Sequence, residues 1–412
     1  MGRAKEEWME AQEKGFTVDD DKVVCTNCFE DTGIKAFIAE INNKEACSYC
    51  AEPGNASCSL EQAMEHIMSC ISSEWGHPED EGLPYETREG GWQGQVYDSW
   101  ELLENIGLET STLELYEDIC SGLFDQAWCE RDHLSLTEDQ TLLYGWRAFS
   151  RFVITEARYV FFRASPSFHD PNQHDEMHPV EILDSLGAIV KEMGLLNVIL
   201  KGTSIKRVRI VERHEAPASA KELGSPSRKH AKMPNRMSPA GIPMFYGAYR
   251  IETAIAETFD PMKDSGKKAV CGHFSTLRDL SVLDLSSDIC IPSLFEGPHR
   301  RRVLSKFLRG FLDDFTQPID REDRSHIDYV PTQIVTEYFR RVFVLEDGKS
   351  LDGIVYPSSK ANGHAAVVLF VTNDQCVEKS EQQSVDATLC LEEVTEVLLY
   401  TSSMTVIGFK RL

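Results

Sequence analysis

The chain has 412 residues, 42% hydrophobic and 26% charged, which suits two or three domains with sizeable cores. Its net charge is −25, from 42 Lys and Arg against 67 Asp and Glu, and this disfavours nonspecific binding to nucleic acid. No apolar run approaches the roughly 20 residues that span a bilayer, and the charged opening MGRAKEEWMEAQEKGF lacks the apolar centre of a secretory signal. A cytoplasmic protein with no membrane partner is therefore expected.

Twelve cysteines in such a chain point to metal ligands and buried thiols rather than a disulfide framework. Cys25-x-x-Cys28 and Cys47-x-x-Cys50 are separated by Phe29 to Ala46, a spacing that fits a zinc site. Two tight turns can each present two thiolates and complete a tetrahedral S4 centre, closed to water and structural in role. The plain alternative is four unrelated reduced cysteines. Cys58 and Cys70 lie near enough to exchange for a ligand. We expect residues 1–58 to form a small zinc-ribbon-like segment around a structural Zn²⁺.

Residues 59–158 are expected to be an α-helical domain. SLEQAMEHIMSCISSEW has apolar residues at 3–4 spacing behind a Ser cap, and DSWELLENIG, STLELYEDICSGLF and LLYGWRAFSRFVITEARY continue the pattern. The aromatics sit at helical intervals and are read as core.

From Tyr159 the chain turns to mixed strand and helix. Expected strands are YVFFRA, KRVRIVERH, MFYGAY, two within AVCGHFSTLRDLSVLDL, DGIVYPSS, HAAVVLFV and the closing EVLLYTSSMTVIGFKRL. VEILDSLGAIVKEMG, ETAIAETF, VLSKFLRGFLDDF and PTQIVTEYFRRVF read as helices, and the stretch from His214 to Asn235 as a mobile loop. The fold class is α+β, with residues 159–412 forming a domain around a mixed sheet.

The candidate site residues of that domain are Arg163, Arg236, Tyr246, Glu257 and Ser358, with Ser359 competing for the serine role. Each has a bland reading taken singly: surface or solvated arginine, core tyrosine, wet-face glutamate, turn serine. Arginine, tyrosine and glutamate spaced as in NRMSPAGIPMFYGAYRIETAIAE suit a pocket for a charged, flat ligand. The loop FHDPNQHDEMH, with His169, His174 and His178, is read as solvated histidines rather than a metal site. No P-loop and no G-x-G-x-x-G after a strand is present, so neither an NTPase nor a Rossmann dehydrogenase is supported.

The order of the short motifs FFRA (Arg163), RMSPAG (Arg236), MFYGA (Tyr246), TAIAE (Glu257) and YPSS (Ser358) resembles that of the RES-domain family, over roughly Tyr159 to Leu412. The resemblance implies a fold similar to ADP-ribosyltransferases and consumption of NAD⁺ as substrate, with release of nicotinamide. It implies catalytic Glu257, Arg163 and Ser358, and substrate-binding Arg236, Tyr246 and Ser359. It also implies a toxin or antiphage effector that depletes NAD⁺, with an antitoxin or regulatory protein as partner; a homo-oligomer is compatible with the sequence. The first 158 residues resemble the zinc-ribbon and HEPN-like helical region ahead of some RES domains, without the R-x4–6-H signature of a HEPN nuclease. Transfer of ADP-ribose to a macromolecule and a non-catalytic nucleotide sensor or partner-binding protein are the alternative readings. Long insertions between Arg163 and Arg236, and between Leu285 and Gly353, set the chain apart from compact members.

Overall fold

The structure, a computed structural model, describes residues 14–411 except 20, 51, 53, 89, 125, 133–134, 165, 168–176, 179, 318–324, 362–363 and 400–406. His169 and His174 lie outside the described residues. The chain divides into two compact units, residues 1–141 with 290–307, and residues 142–289 with 308–412.

The first unit opens with strand β1 (Val23–Cys25), a 3-10 turn at Thr26–Cys28 and helix α1 (Thr32–Ile41). Asp31 starts α1 because its side chain accepts from the Gly33 and Ile34 N–H groups, which otherwise lack partners. Strand β2 (Ser57–Ser59) pairs antiparallel with β1 and leads into α2 (Leu60–Glu74). Ser59 and Gln62 close a capping box there, as the Ser cap in the sequence predicts. Strand β3 (Trp75–Gly76), the pair β4 (Tyr85–Glu86) and β5 (Gly91–Trp92), helices α3 (Ser99–Asn105) and α4 (Leu113–Gly122) and strand β6 (Cys129–Glu130) complete the series. Apolar residues three and four apart on α1, α2 and α4, including Ile34, Ile38, Met64, Ile67, Ile71, Leu115 and Ile119, meet in one core.

That core also takes Leu294 and Phe295, which come from far along the sequence. The Phe295 carbonyl lies against Gly33, where an added Cβ would stand 2.3 Å from it, and it bonds His66 Nε2 at 3.0 Å. Glu74 holds the same segment through Arg302 at 2.9 Å and Lys306 at 3.5 Å. Only glycine permits this backbone approach. Gly33→Ala is expected to destabilise the first unit by about 1–3 kcal/mol, read as a lower denaturant midpoint for that unit; an unchanged midpoint would show that Phe295 is not firmly seated.

Helix α5 (Glu138–Thr155) carries one boundary between the units, and α9 (His299–Thr316) carries another. The second unit is built on a ten-stranded mixed sheet. Its strands are β7 (Leu196–Ile199), β8 (Ser204–Val211), β9 (Phe245–Ala248), β10 (Lys268–Thr276), β11 (Leu280–Asp284), β12 (Gly353–Pro357), β13 (Ala365–Leu369), β14 (Cys376–Val377), β15 (Leu389–Leu398) and β16 (Ile407–Arg411). The order is β14-β15-β10-β8-β9-β13-β12-β11-β7, with β16 on β15; β11–β12 and β14–β15 are parallel and the other pairs antiparallel. The remaining helices are α6 (Ile182–Glu192), α7 (Ala220–Leu223), α8 (Ile251–Thr258), α10 (Ser325–Asp328) and α11 (Val330–Arg341). The α+β class and the C-terminal mixed sheet expected from the sequence are present.

Alternation along the strands gives the sheet two buried faces. Ile205, Phe245, Val270, Val355, Val367 and Leu369 pack on one of them, with Phe245 edge-on to Phe274 at 5.2 Å. Helix α8 covers the other, laying Ile251, Ala254 and Ile255 on Val208, Ala248, Ala269 and Cys271. One expected strand is absent. YVFFRA is a turn after α5, where Arg163 N bonds the Val160 carbonyl at 2.9 Å and Tyr159 is 85% exposed. With no neighbouring strand to take its backbone groups, the apolar run lies outside the sheet.

Candidate functional site

The site is assembled on the α8 face. Register places Tyr246 and Ala248 of β9 opposite Val368 and Ala366 of β13, and Ala366 opposite Tyr356 of β12, so these side chains share one face. Ser358, two residues beyond Tyr356, follows onto that side. Helix α8 ends there with Glu257. The Ser358 hydroxyl donates to Glu257 Oε1 at 2.5 Å, joining positions a hundred residues apart in the chain. Ser358 is buried, and its Oγ also accepts from Ala361 N at 3.0 Å and Lys360 N at 3.3 Å. Its own N–H bonds the His364 carbonyl at 2.9 Å. Such a hydroxyl has its rotor fixed: two N–H groups point at its lone pairs, and its proton is directed at the carboxylate. A hydrogen bond to a charged partner of this kind contributes about 1.5–3 kcal/mol. Ser359, by contrast, is exposed.

Tyr246 reaches back to the arginine loop, its hydroxyl donating to Ser238 Oγ at 2.9 Å. Burial of that hydroxyl pushes its pKa up to about 12, so it is a neutral donor at physiological pH. Arg236 sits in the loop just before Ser238. Its Nη1 bonds the Thr316 carbonyl at 2.7 Å and its Nη2 the Gln317 carbonyl at 3.1 Å, so the guanidinium closes the C-terminal end of α9. A cation there meets unsatisfied carbonyls and the negative end of the helix dipole. Two of the five guanidinium N–H donors are engaged in this way, and among the described residues the other three take no partner.

Sequence reasoning passed over Arg207. KRVRIVERH reads as a strand, and Arg207 lies on β8 as that reading implies. Its guanidinium is nevertheless deeply buried on the Phe245 face: Nε bonds the Gly224 carbonyl at 2.9 Å, Nη1 the Tyr246 carbonyl at 2.8 Å, and the group lies 5.5 Å from the Phe245 ring centre. Burial lowers its pKa to about 10, and it stays charged. No sequence signal separates Arg207 from Arg209, whose position on the same face is exposed. Arg163 is exposed in its turn, and its side chain makes no hydrogen bond or ion pair to the described residues. Glu257 and Ser358 are thus joined directly, and Tyr246 is joined to the loop of Arg236 through Ser238, while Arg163 and Ser359 take part in neither link.

A second centre lies in the first unit. Cys25 and Cys28 flank the 3-10 turn after β1, and Cys47 and Cys50 occupy a second turn. Helix α1 takes up part of the interval between them. The four sulfurs lie within 4.8 Å of one another, with Cys28–Cys47 at 3.3 Å, Cys25–Cys50 at 3.4 Å and Cys25–Cys28 at 3.7 Å. A tetrahedral zinc thiolate with bonds of about 2.3 Å places its sulfurs about 3.8 Å apart, so the donor set fits a metal of that kind. Burial pushes the Cys25 thiol up to about 11 and raises Cys28 as well. Burial acts the same way on Cys47, but N–H groups of Tyr49 and Cys50 and the neighbouring thiols outweigh it and leave Cys47 lowered. Cys58 belongs instead to the β2 strand opposite Val24, and Cys70 lies on α2 at 3.9 Å from His66 Nε2; neither is in the cluster.

The fold is an α+β domain in which Glu257 is joined to Ser358 and Tyr246 to the loop of Arg236. The RES domain family matches residues 206–392, and the HEPN/RES N-terminal domain 1 family matches residues 40–167. The chain is a RES-domain protein with a HEPN/RES N-terminal domain ahead of the RES domain. Arg163 falls outside the RES match, whereas Arg207, Arg236, Tyr246, Glu257 and Ser358 fall inside it. No curated protein and no solved structure matches the chain. No helix among the described residues is long and apolar enough to cross a membrane.

Proposed function

We propose that the protein cleaves the nicotinamide–ribose bond of NAD⁺. The observation that carries this reading is the Ser358–Glu257 hydrogen bond, which unites two widely separated positions within the RES match. In the reaction the C1″–N bond breaks and its electron pair leaves with nicotinamide, a neutral base. Positive charge develops on the ribose, and an acceptor oxygen forms the new bond to C1″. With water as acceptor the products are ADP-ribose, nicotinamide and a proton.

Glu257 is assigned to the ribose: its carboxylate bonds sugar hydroxyls and favours the cationic transition state, a gain made only as charge develops. Ser358 orients that carboxylate and the nicotinamide side of the ribose, with exposed Ser359 beside it. Tyr246 lines the slot for the nicotinamide ring. Arg236 takes the pyrophosphate with its remaining donors, since a guanidinium matches phosphate oxygens in pairs. Arg163, exposed and carrying no ion pair to the described residues, is assigned to the same anion. Depletion of NAD⁺ would make the protein a toxin or antiphage effector, held in check by an antitoxin or regulatory protein. In the first unit, Cys25, Cys28, Cys47 and Cys50 would hold a structural Zn²⁺ that fixes two turns to the core.

The test separates acceptors by their products. Full-length protein is incubated with NAD⁺ with and without inorganic phosphate, and the products are resolved by chromatography. ADP-ribose signifies hydrolysis, its 1″-phosphate phosphorolysis, and ADP-ribose attached to protein transfer. NAD⁺ left intact in both reactions would refute the cleavage reading and favour the nucleotide sensor.

A further inference from the structure

The segment between β11 and β12 bears directly on the arginine loop. Helices α9, α10 and α11 all lie in that segment. The C-terminal end of α9 receives the Arg236 guanidinium through the Thr316 and Gln317 carbonyls. Helix α11 holds the backbone of the same loop from its first turn. Gln333 Nε2 donates to the Asn235 carbonyl at 2.8 Å and to the Ser238 carbonyl at 3.3 Å, and Thr332 Oγ1 approaches the Arg236 carbonyl at 2.5 Å. Thr332 Oγ1 also lies 3.0 Å from the Tyr329 carbonyl, and its one proton serves a single acceptor at a time. Thr332 and Gln333 are both buried. A buried amide or hydroxyl retained at a helix start, where an apolar residue would pack without desolvation cost, needs polar partners; here those partners are carbonyls of the RMSPAG loop.

We propose that Gln333 and Thr332 are positioning residues for the reaction at Glu257: they fix the Asn235–Ser238 turn, and through it both Arg236 and the Ser238 hydroxyl that receives Tyr246. This inference rests on the cleavage reading for its catalytic consequence. The physical chain is short. Gln333 binds the Ser238 carbonyl, Ser238 Oγ accepts from the Tyr246 hydroxyl, and Tyr246 lies on the sheet face covered by α8, the helix that carries Glu257. Arg236 is fixed at both ends, its backbone carbonyl by Thr332 and its guanidinium by α9. Loops normally carry the residual motion of a domain. Anchoring this one to a helix keeps the arginine and tyrosine in register, and a misplacement of about 1 Å can cost roughly 10²-fold in rate. The segment between β11 and β12 thereby becomes part of the proposed site.

The test uses three variants of the full chain. Gln333→Met keeps the volume and removes the donor, Thr332→Val removes the hydroxyl, and Thr332→Ser restores it. Nicotinamide release gives kcat and KM, and hydrogen exchange by mass spectrometry reads the amides of 235–241. We expect Gln333→Met and Thr332→Val to lose about tenfold or more in kcat/KM, with faster exchange in 235–241 and an unchanged exchange pattern in β10 and β15. Thr332→Ser should return close to wild type in both. A purely packing role would leave the Ser variant as impaired as the Val variant, and that result overturns the proposal. So does wild-type kcat/KM with unchanged loop exchange in Gln333→Met and Thr332→Val. If the wild-type chain releases no nicotinamide, the cleavage reading falls, and loop exchange alone decides the anchoring: faster exchange supports it and unchanged exchange overturns it.

Discussion

Replacing Glu257 by Gln is expected to lower nicotinamide release by at least about 10²–10³-fold while the protein remains folded. The substitution preserves the shape and size of the side chain and removes only its charge. The Ser358 hydroxyl can still donate to the amide oxygen, so the join between α8 and the end of β12 survives. On the proposed reading, what disappears is the negative charge that faces the ribose as it becomes cationic, an interaction stronger in the transition state than in the ground state. The kinetic signature should be a fall in kcat with KM little changed. Thermal unfolding followed alongside should show a midpoint within a few degrees of wild type. A variant that turns over NAD⁺ at the wild-type rate would remove Glu257 from the chemistry, whatever its stability.

The second large effect concerns the four-cysteine centre. Cys28→Ser, or chelation of the purified protein, is expected to unfold the first unit. Structural zinc in small domains contributes about 10–16 kcal/mol at neutral pH, comparable to the roughly 5–15 kcal/mol that keeps a whole domain folded. Cys28 is fully buried, in the same core as Ile34, Ile38 and Ile67. Separating its turn from that of Cys47 would therefore open the core. Metal analysis should find one zinc per chain, and circular dichroism should show loss of helix on chelation that zinc restores. A chain that carries no metal, and whose Cys28→Ser variant melts like wild type, would mean that packing alone holds the two turns.

Local signals carried much of this molecule into view from its sequence. Ser59 before an apolar-periodic run marked the start of α2, and the pairs Cys25/Cys28 and Cys47/Cys50 marked a cluster because their spacing leaves few other uses. TAIAE marked α8, and YPSS the turn at Ser358. Those features depend on residues close together in the chain. The features that escaped depend on residues far apart. Nothing in SLFEGPHRR indicates that Phe295 will lie in the core with Ile34, because its partner Gly33 is more than 250 residues away. Arg207 looks like any strand arginine until β9 brings the Tyr246 carbonyl to it. Gln333 and Thr332 look like ordinary helix residues until the arginine loop is seen against them. YVFFRA failed for a different reason: aromatic and β-branched residues favour a strand only when a neighbouring strand accepts their backbone groups, and the turn after α5 supplies none.

Cleavage of NAD⁺ at a site containing Glu257 is decided by a time course of nicotinamide release by the purified full-length chain. NAD⁺ labelled in its nicotinamide ring is supplied in excess, and wild-type protein is run beside Glu257→Gln. The account predicts multiple turnovers of free nicotinamide from wild type and a trace at least about 10²-fold smaller from the variant. Intact NAD⁺ in both, or equal release from both, would contradict it.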